Sequence, residues 1–67
     1  MDVDTINARF TVIEKVWKDA SANTRSDYLE ELAGMTTDLA QIGGSQAASA
    51  KWLSRRIDRV ARYIDSS

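Results

Sequence analysis

The residues with the clearest chemical potential are the cationic and aromatic side chains gathered in the last third of the chain. Residues 45–67 carry five basic residues against two acidic ones, whereas residues 1–44 carry four basic against eight acidic. The formal net charge of the whole 67-residue chain is nevertheless only −1. Positive charge concentrated beside aromatic rings can bind an acidic protein surface or a phosphate backbone.

Helical spacing divides these basic residues into two groups. Lys51, Arg55 and Arg62 are predicted on the side of the last helix that faces away from the core. Asp58 lies within one turn of both arginines, so local ion pairs can form and this group is interpreted as a solvated face. The second group lies on one flank beside the core, with no acidic residue among its members. This group, which we call the aromatic–arginine edge, consists of Trp52, Arg56, Arg59 and Tyr63.

The aromatic–arginine edge predicts a site for a protein partner. Tryptophan, tyrosine and arginine are the residues most enriched at binding hot spots, and the expected partner presents an acidic or apolar surface. A second interpretation makes Trp52 and Tyr63 boundary residues of the core, with arginine stems lying over their rings. Both interpretations stay open at this point, because a dimer interface would use the same residues.

An alternative function follows from residues 38–57, whose sequence pattern is typical of a helix-turn-helix motif. An apolar helical segment, a Gly-Gly-Ser turn and a polar, basic helix follow one another. The candidate base readers are Gln46, Ser49 and Lys51, and the candidate phosphate contacts are Arg55, Arg56 and Arg59. The fit is partial, since Gly44 is followed by Ser45 rather than an apolar anchor and the net charge is negative. The alternative is thus a DNA-binding transcriptional regulator.

Composition argues against several other classes of protein. The chain has no histidine and no cysteine, which removes the commonest general base, nucleophile and metal ligands. We therefore expect no enzyme, no metal and no cofactor. No apolar run approaches the ~20 residues of a membrane span. The acidic N-terminal residues lack the layout of a signal peptide, so the cytoplasm is the expected location.

The elements that must position these side chains are three helices, predicted near 3–20, 25–42 and 45–64. Apolar residues recur in steps of three and four, as they do along one helical face. The predicted fold is a single-domain, antiparallel three-helix bundle over residues 1–67. The predicted core residues are Val3, Ile6, Phe10, Ile13, Trp17, Ala20, Tyr28, Leu32, Met35, Leu39, Ile42, Ala50, Leu53, Ile57, Val60 and Ile64.

Capping residues and glycines set the expected helix ends. The candidate N-caps are Asp2 or Asp4, Thr24 or Ser26, and Ser45. Gly43 and Gly44 are expected to end the second helix. Gly34 lies in the middle of that helix, where glycine costs about 0.5–1 kcal/mol relative to alanine. We predict one continuous helix over 25–42, with a break near Gly34 as the alternative.

The small core predicts self-association. A core of this size rarely supplies more than ~3–5 kcal/mol, and no disulfide is available. Val12, Val16, Trp52 and Tyr63 also fall outside the apolar seams. We therefore expect a homodimer. The favoured function is a small protein–protein interaction module, such as an adaptor, an assembly factor or an inhibitor of the phage type.

Overall fold

The computed structural model describes residues 2–67, which form three α-helices and no strand. Helix α1 spans Val3–Val16, α2 spans Ala22–Ala40 and α3 spans Ala47–Ser66. Short 3₁₀ turns cover Trp17–Asp19 and Gly44–Gln46. The predicted all-α, three-helix bundle is confirmed. Within the described residues, no helix combines the length and the apolar character that a bilayer crossing requires.

The core is a single apolar cluster to which all three helices contribute. Its buried members are Val3, Ile6, Phe10, Ile13, Leu32, Met35, Leu39, Ala50, Leu53, Ile57, Val60 and Ile64. Trp17, Tyr28 and Ile42 pack against this cluster while remaining partly exposed. Every buried residue was predicted from the steps of three and four, because that spacing places side chains on one side of a helix. The core prediction is confirmed except at Ala20, which is partly exposed and lies outside this cluster.

The helices alternate in direction, as the short connections require. Arg25 at the start of α2 reaches the carbonyl oxygens of Trp17 and Lys18, just beyond α1. The same guanidinium donates to the hydroxyl of Ser67, immediately after α3. The start of α2 therefore lies beside the ends of both other helices, so α2 is antiparallel to each of them. Helices α1 and α3 consequently run parallel.

The closest packing joins α2 and α3, and small side chains explain it. Ala47, Ala50, Ser54 and Ala61 follow one another in steps of three, four and seven along α3. Ala47, Ala50 and Ser54 border the end of α2, and Ala61 lies beside Leu29 nearer its start. Short side chains at these positions let the two helix backbones approach closely.

The helix boundaries differ from the predicted ones because other residues act as caps. Asp2 caps α1 as predicted, accepting a hydrogen bond from the Thr5 N–H at 2.8 Å. Hydrogen bonding by the Thr5 side chain and by its backbone N–H lowers the pKa of Asp2. The predicted cap of the second helix was wrong. Ser21 fills that position and accepts from the Thr24 N–H, so α2 begins three residues early. The prediction that Ser45 is the N-cap of the third helix was also wrong, because Ser45 lies in a 3₁₀ turn and α3 begins at Ala47.

Two glycines have opposite structural roles. Gly34 lies within α2, which continues through it without a break, so the continuous helix is confirmed. The second helix ends at Ala40, two residues before the predicted end. Gly44 has a φ of 69°, a conformation that only glycine adopts at little cost, and it directs the chain from α2 into α3.

Candidate functional site

The aromatic–arginine edge forms as one continuous stripe along α3. Trp52, Arg56, Arg59 and Tyr63 follow one another in steps of four, three and four, and at ~100° per residue they share about 60° of the helix surface. All four side chains are exposed. The core residues of α3 have the same spacing shifted by one position. The helix therefore carries a buried seam and, beside it, a second seam whose four side chains are exposed.

Exposure separates the two interpretations of the aromatic residues. The exposed fraction is 68% for Trp52 and 58% for Tyr63. No arginine lies over either ring among the described residues, whereas Arg56 lies over the buried Phe10 ring at 5.5 Å. The structure thus places both aromatic side chains outside the core, contrary to the boundary-core interpretation.

Helix α1 supplies the other wall of this site. Trp52, Arg56 and Ser49 of α3 face Val3 and Asn7 of α1 across an open groove of about 330 Å³. The parallel course of the two helices keeps the groove beside the edge. A side chain from a partner can enter the groove next to the Trp52 ring, where buried Leu53 contributes to the floor.

Arg56 and Arg59 differ in their electrostatic environment. The Arg56 guanidinium lies 3.5 Å from the Glu14 carboxylate of α1, in a pair that is about half exposed. Helix α3 has no acidic residue on this flank, as predicted, but α1 contributes Glu14. Within residues 2–67, no carboxylate lies within 4.0 Å of the Arg59 guanidinium. Arg59 therefore presents an uncompensated positive charge to solvent.

The outer basic face is solvated, as predicted, but without its predicted ion pairs. Lys51, Arg55 and Arg62 are exposed. Among the described residues, neither arginine has a carboxylate within 4.0 Å, so the expected pairs with Asp58 do not form. Exposed pairs of this kind contribute only ~0.2–1 kcal/mol, which solvation of the long side chains can offset.

The residues of the helix-turn-helix alternative do not share one surface. Ser49 borders the groove beside α1, whereas Lys51 borders the opposite groove beside α2. Gln46 belongs to the 3₁₀ turn before α3. Arg55 lies on the outer face, and Arg56 and Arg59 lie on the edge. A helix-turn-helix also crosses its two helices at about 90–120°, whereas α2 and α3 are antiparallel neighbours.

Two interactions between the helices were not predicted from the sequence. The Arg9 guanidinium of α1 donates two hydrogen bonds, of 2.9 and 2.8 Å, to the Glu31 carboxylate of α2. This bidentate pair lowers the pKa of Glu31 and raises the pKa of Arg9. Arg25 links all three helix ends and lies over the Trp17 ring at 5.6 Å. Only the assembled bundle brings these partners together, so no local spacing could indicate them.

The fold and this surface define the chain as a small three-helix bundle with an exposed cationic and aromatic seam. Comparison with known proteins adds no identification: no family, no curated protein and no solved structure matches the chain significantly. Its function must therefore be argued from the geometry of the surface itself.

Proposed function

We propose that this protein is a protein–protein interaction module that binds its partner through the aromatic–arginine edge. The observation that carries the proposal is the exposure of Trp52 and Tyr63 on one helical stripe with Arg59, for which residues 2–67 provide no paired carboxylate. Exposed apolar surface that is rimmed by polar residues can mark a site of interaction with a partner. Tryptophan, tyrosine and arginine also dominate the energetics of protein interfaces.

The geometry supports a helical partner segment with an acidic, partly apolar face. Steps of four, three and four are the spacing with which one helix packs against another. Apolar side chains of the partner would cover the Trp52 and Tyr63 rings. Carboxylates of the partner would neutralise Arg59 and compete with Glu14 for Arg56. An adaptor, an assembly factor or an inhibitor can act through a surface of this kind.

We also infer that the protein binds rather than catalyses. The chain has no histidine or cysteine, and the groove beside the edge is open to solvent. Binding through an exposed helical seam requires neither a nucleophile nor an enclosed pocket. A cytoplasmic location agrees with this role and remains part of the proposal.

A matched pair of charge reversals tests the site. Arg59→Glu and Arg55→Glu change the net charge equally on the same exposed helix, but only Arg59 belongs to the edge. Affinity capture from a lysate is expected to recover a partner with the wild type and with Arg55→Glu. Arg59→Glu is expected to lower partner affinity at least about tenfold, because like charges across an interface repel. Circular dichroism of both variants provides the folding control.

Equal capture of the partner by both variants would show that the edge is not part of the binding site.

Titration with duplex DNA at two salt concentrations tests the alternative function, that of a DNA-binding regulator. Steeply salt-dependent binding that Arg55→Ala, Arg56→Ala and Arg59→Ala each weaken would establish a phosphate-binding role instead of the proposed one.

A further inference from the structure

The exposed glycine in α2 points to a second binding surface. Gly34 costs the helix about 0.5–1 kcal/mol relative to alanine, yet no atom of the described residues outside α2's own backbone lies within 4 Å of the position that a Cβ would take. It borders an open groove of about 280 Å³ between α1 and α2, whose floor includes buried Ile6 and Met35. Internal packing therefore does not require glycine at this position. The missing side chain instead leaves room for a group that enters from outside.

The helix around Gly34 carries a stripe with the same spacing as the aromatic–arginine edge. We call it the α2 acidic stripe; its members are Asn23, Asp27, Glu30 and Gly34. They follow one another in steps of four, three and four, and all are exposed. Within residues 2–67, no basic group lies within 4.0 Å of the Asp27 or Glu30 carboxylate. The stripe thus offers two free carboxylates and an open groove.

The two stripes are complementary when their helices are antiparallel. With Trp52 of one copy opposite Gly34 of another, the ~1.5 Å rise per residue brings Arg56 opposite Glu30, about 6 Å further along. Arg59 then lies opposite Asp27 at about 10.5 Å, and Tyr63 lies opposite Asn23. Each arginine of the edge meets a carboxylate. Trp52, which has the largest side chain of the edge, meets Gly34, which has no side chain.

We propose that a second copy of this chain docks its aromatic–arginine edge on the α2 acidic stripe, in a head-to-tail contact. This inference rests on the proposed function, because the edge is the same surface and the α2 acidic stripe shows the partner chemistry that suits it. The Trp52 ring enters the groove over Gly34.

A two-fold dimer through the edge alone is disfavoured by charge. The edge has the same spacing in both directions, so antiparallel self-pairing would place Arg56 of one copy against Arg59 of the other. Such juxtaposition of like charges is costly. The edge and the α2 acidic stripe also lie on different sides of the bundle, separated by α1. The contact is therefore heterologous, and it closes into a ring or continues as an open chain.

Sedimentation velocity between about 10 µM and 1 mM tests the proposal. The wild type is expected to form species larger than the monomer as its concentration rises. Two variants are expected to remain monomeric over this range: Arg56→Glu/Arg59→Glu, which reverses the edge, and Asp27→Arg/Glu30→Arg, which reverses the stripe. Their equimolar mixture is expected to associate again, because each reversed surface then meets its complement. Arg55→Glu/Arg62→Glu, on the outer basic face, is the matched control and should behave as the wild type.

A second substitution tests the groove while leaving charge unchanged. Gly34→Leu introduces a better helix former into α2, so the fold is expected to be at least as stable as in the wild type. The leucine side chain fills the space for Trp52, and the dissociation constant for self-association should rise at least about tenfold. Circular dichroism and thermal melting of each variant establish that the monomers are folded.

Several outcomes would overturn the inference. A wild type that stays monomeric at 1 mM would remove it. Self-association of the Asp27→Arg/Glu30→Arg variant would also remove it, as would an equimolar mixture of the two reversed variants that stays monomeric. Partner capture separates this failure from failure of the proposed function. If the Arg59→Glu variant fails to capture the partner while the wild type is monomeric, only the proposal of self-association is removed. If self-association depends on the edge but Arg59→Glu captures the partner as the wild type does, only the proposal of an external partner at the edge is removed.

Discussion

Replacing Phe10 by alanine is expected to leave the protein largely unfolded at 25 °C. Phe10 is completely buried in the one core that the three helices share. Truncation of a buried phenylalanine costs about 3–5 kcal/mol, and a core of this size supplies only ~3–5 kcal/mol in total. Loss of the ring also removes the surface on which the Arg56 guanidinium lies. Far-UV circular dichroism and urea titration measure the effect.

The control for this substitution is Val12→Ala on the same helix. Val12 is 47% exposed, so its truncation should change the free energy of unfolding by no more than about 0.5 kcal/mol. Phe10→Leu should retain a cooperative transition at a lower urea concentration, because a smaller apolar side chain still fills part of the site. A Phe10→Ala variant with the wild-type urea midpoint would show that the core described here does not hold the bundle together.

Replacing Trp52 by alanine is expected to give the largest loss of binding of any single substitution. Truncation of a tryptophan that is a binding hot spot costs about 2–4 kcal/mol, which corresponds to an affinity lower by about 30- to 1,000-fold. The 68% exposure of Trp52 means that folding should be almost unaffected. Isothermal titration calorimetry with the captured partner gives the dissociation constant, and urea titration gives the stability.

Lys51→Ala provides the comparison, because Lys51 precedes Trp52 in the chain but borders the opposite groove. Its affinity for the partner should stay within about twofold of the wild type. If Trp52→Ala also retained wild-type affinity in a folded protein, the edge would not be the binding site.

Much of the fold follows from the sequence because its determinants are periodic. The steps of three and four from Val3 to Ile64 place a continuous apolar surface on each helix, and the structure buries that surface. The exact helix ends do not follow as directly. Ser21, Thr24 and Ser26 are all competent caps, and the backbone course after the Trp17–Asp19 turn determines that Ser21 acts. Similar propensities at neighbouring positions leave such choices to tertiary structure.

The membership of the aromatic–arginine edge could be predicted, but its environment could not. Helical spacing alone places Trp52 and Tyr63 on one flank of α3. Whether their rings are covered depends on how closely α1 approaches, and the structure leaves them exposed. The pairing of Arg56 with Glu14 joins residues that are 42 positions apart in the sequence. Neither local propensity nor helical periodicity contains that information.

Gly34 shows how a local anomaly gains meaning from the assembled structure. In the sequence it indicates only a weak point in a helix. In the bundle it borders a groove between α1 and α2 and belongs to a stripe whose spacing matches the edge on α3. In the proposed head-to-tail contact, the uneven division of charge between residues 1–44 and 45–67 would make the surfaces of two copies complementary.

Partner binding at the aromatic–arginine edge can be mapped residue by residue with ¹H–¹⁵N correlation spectra recorded with and without the captured partner. The two tryptophans provide an internal comparison, because Trp17 packs against the core while Trp52 is exposed. The account predicts that the Trp52 indole N–H and the amides of Arg56, Arg59 and Tyr63 shift or broaden, while the Trp17 indole N–H stays in place. Perturbations confined to the outer basic face or to α1 and α2, with the Trp52 signal unchanged, would contradict it.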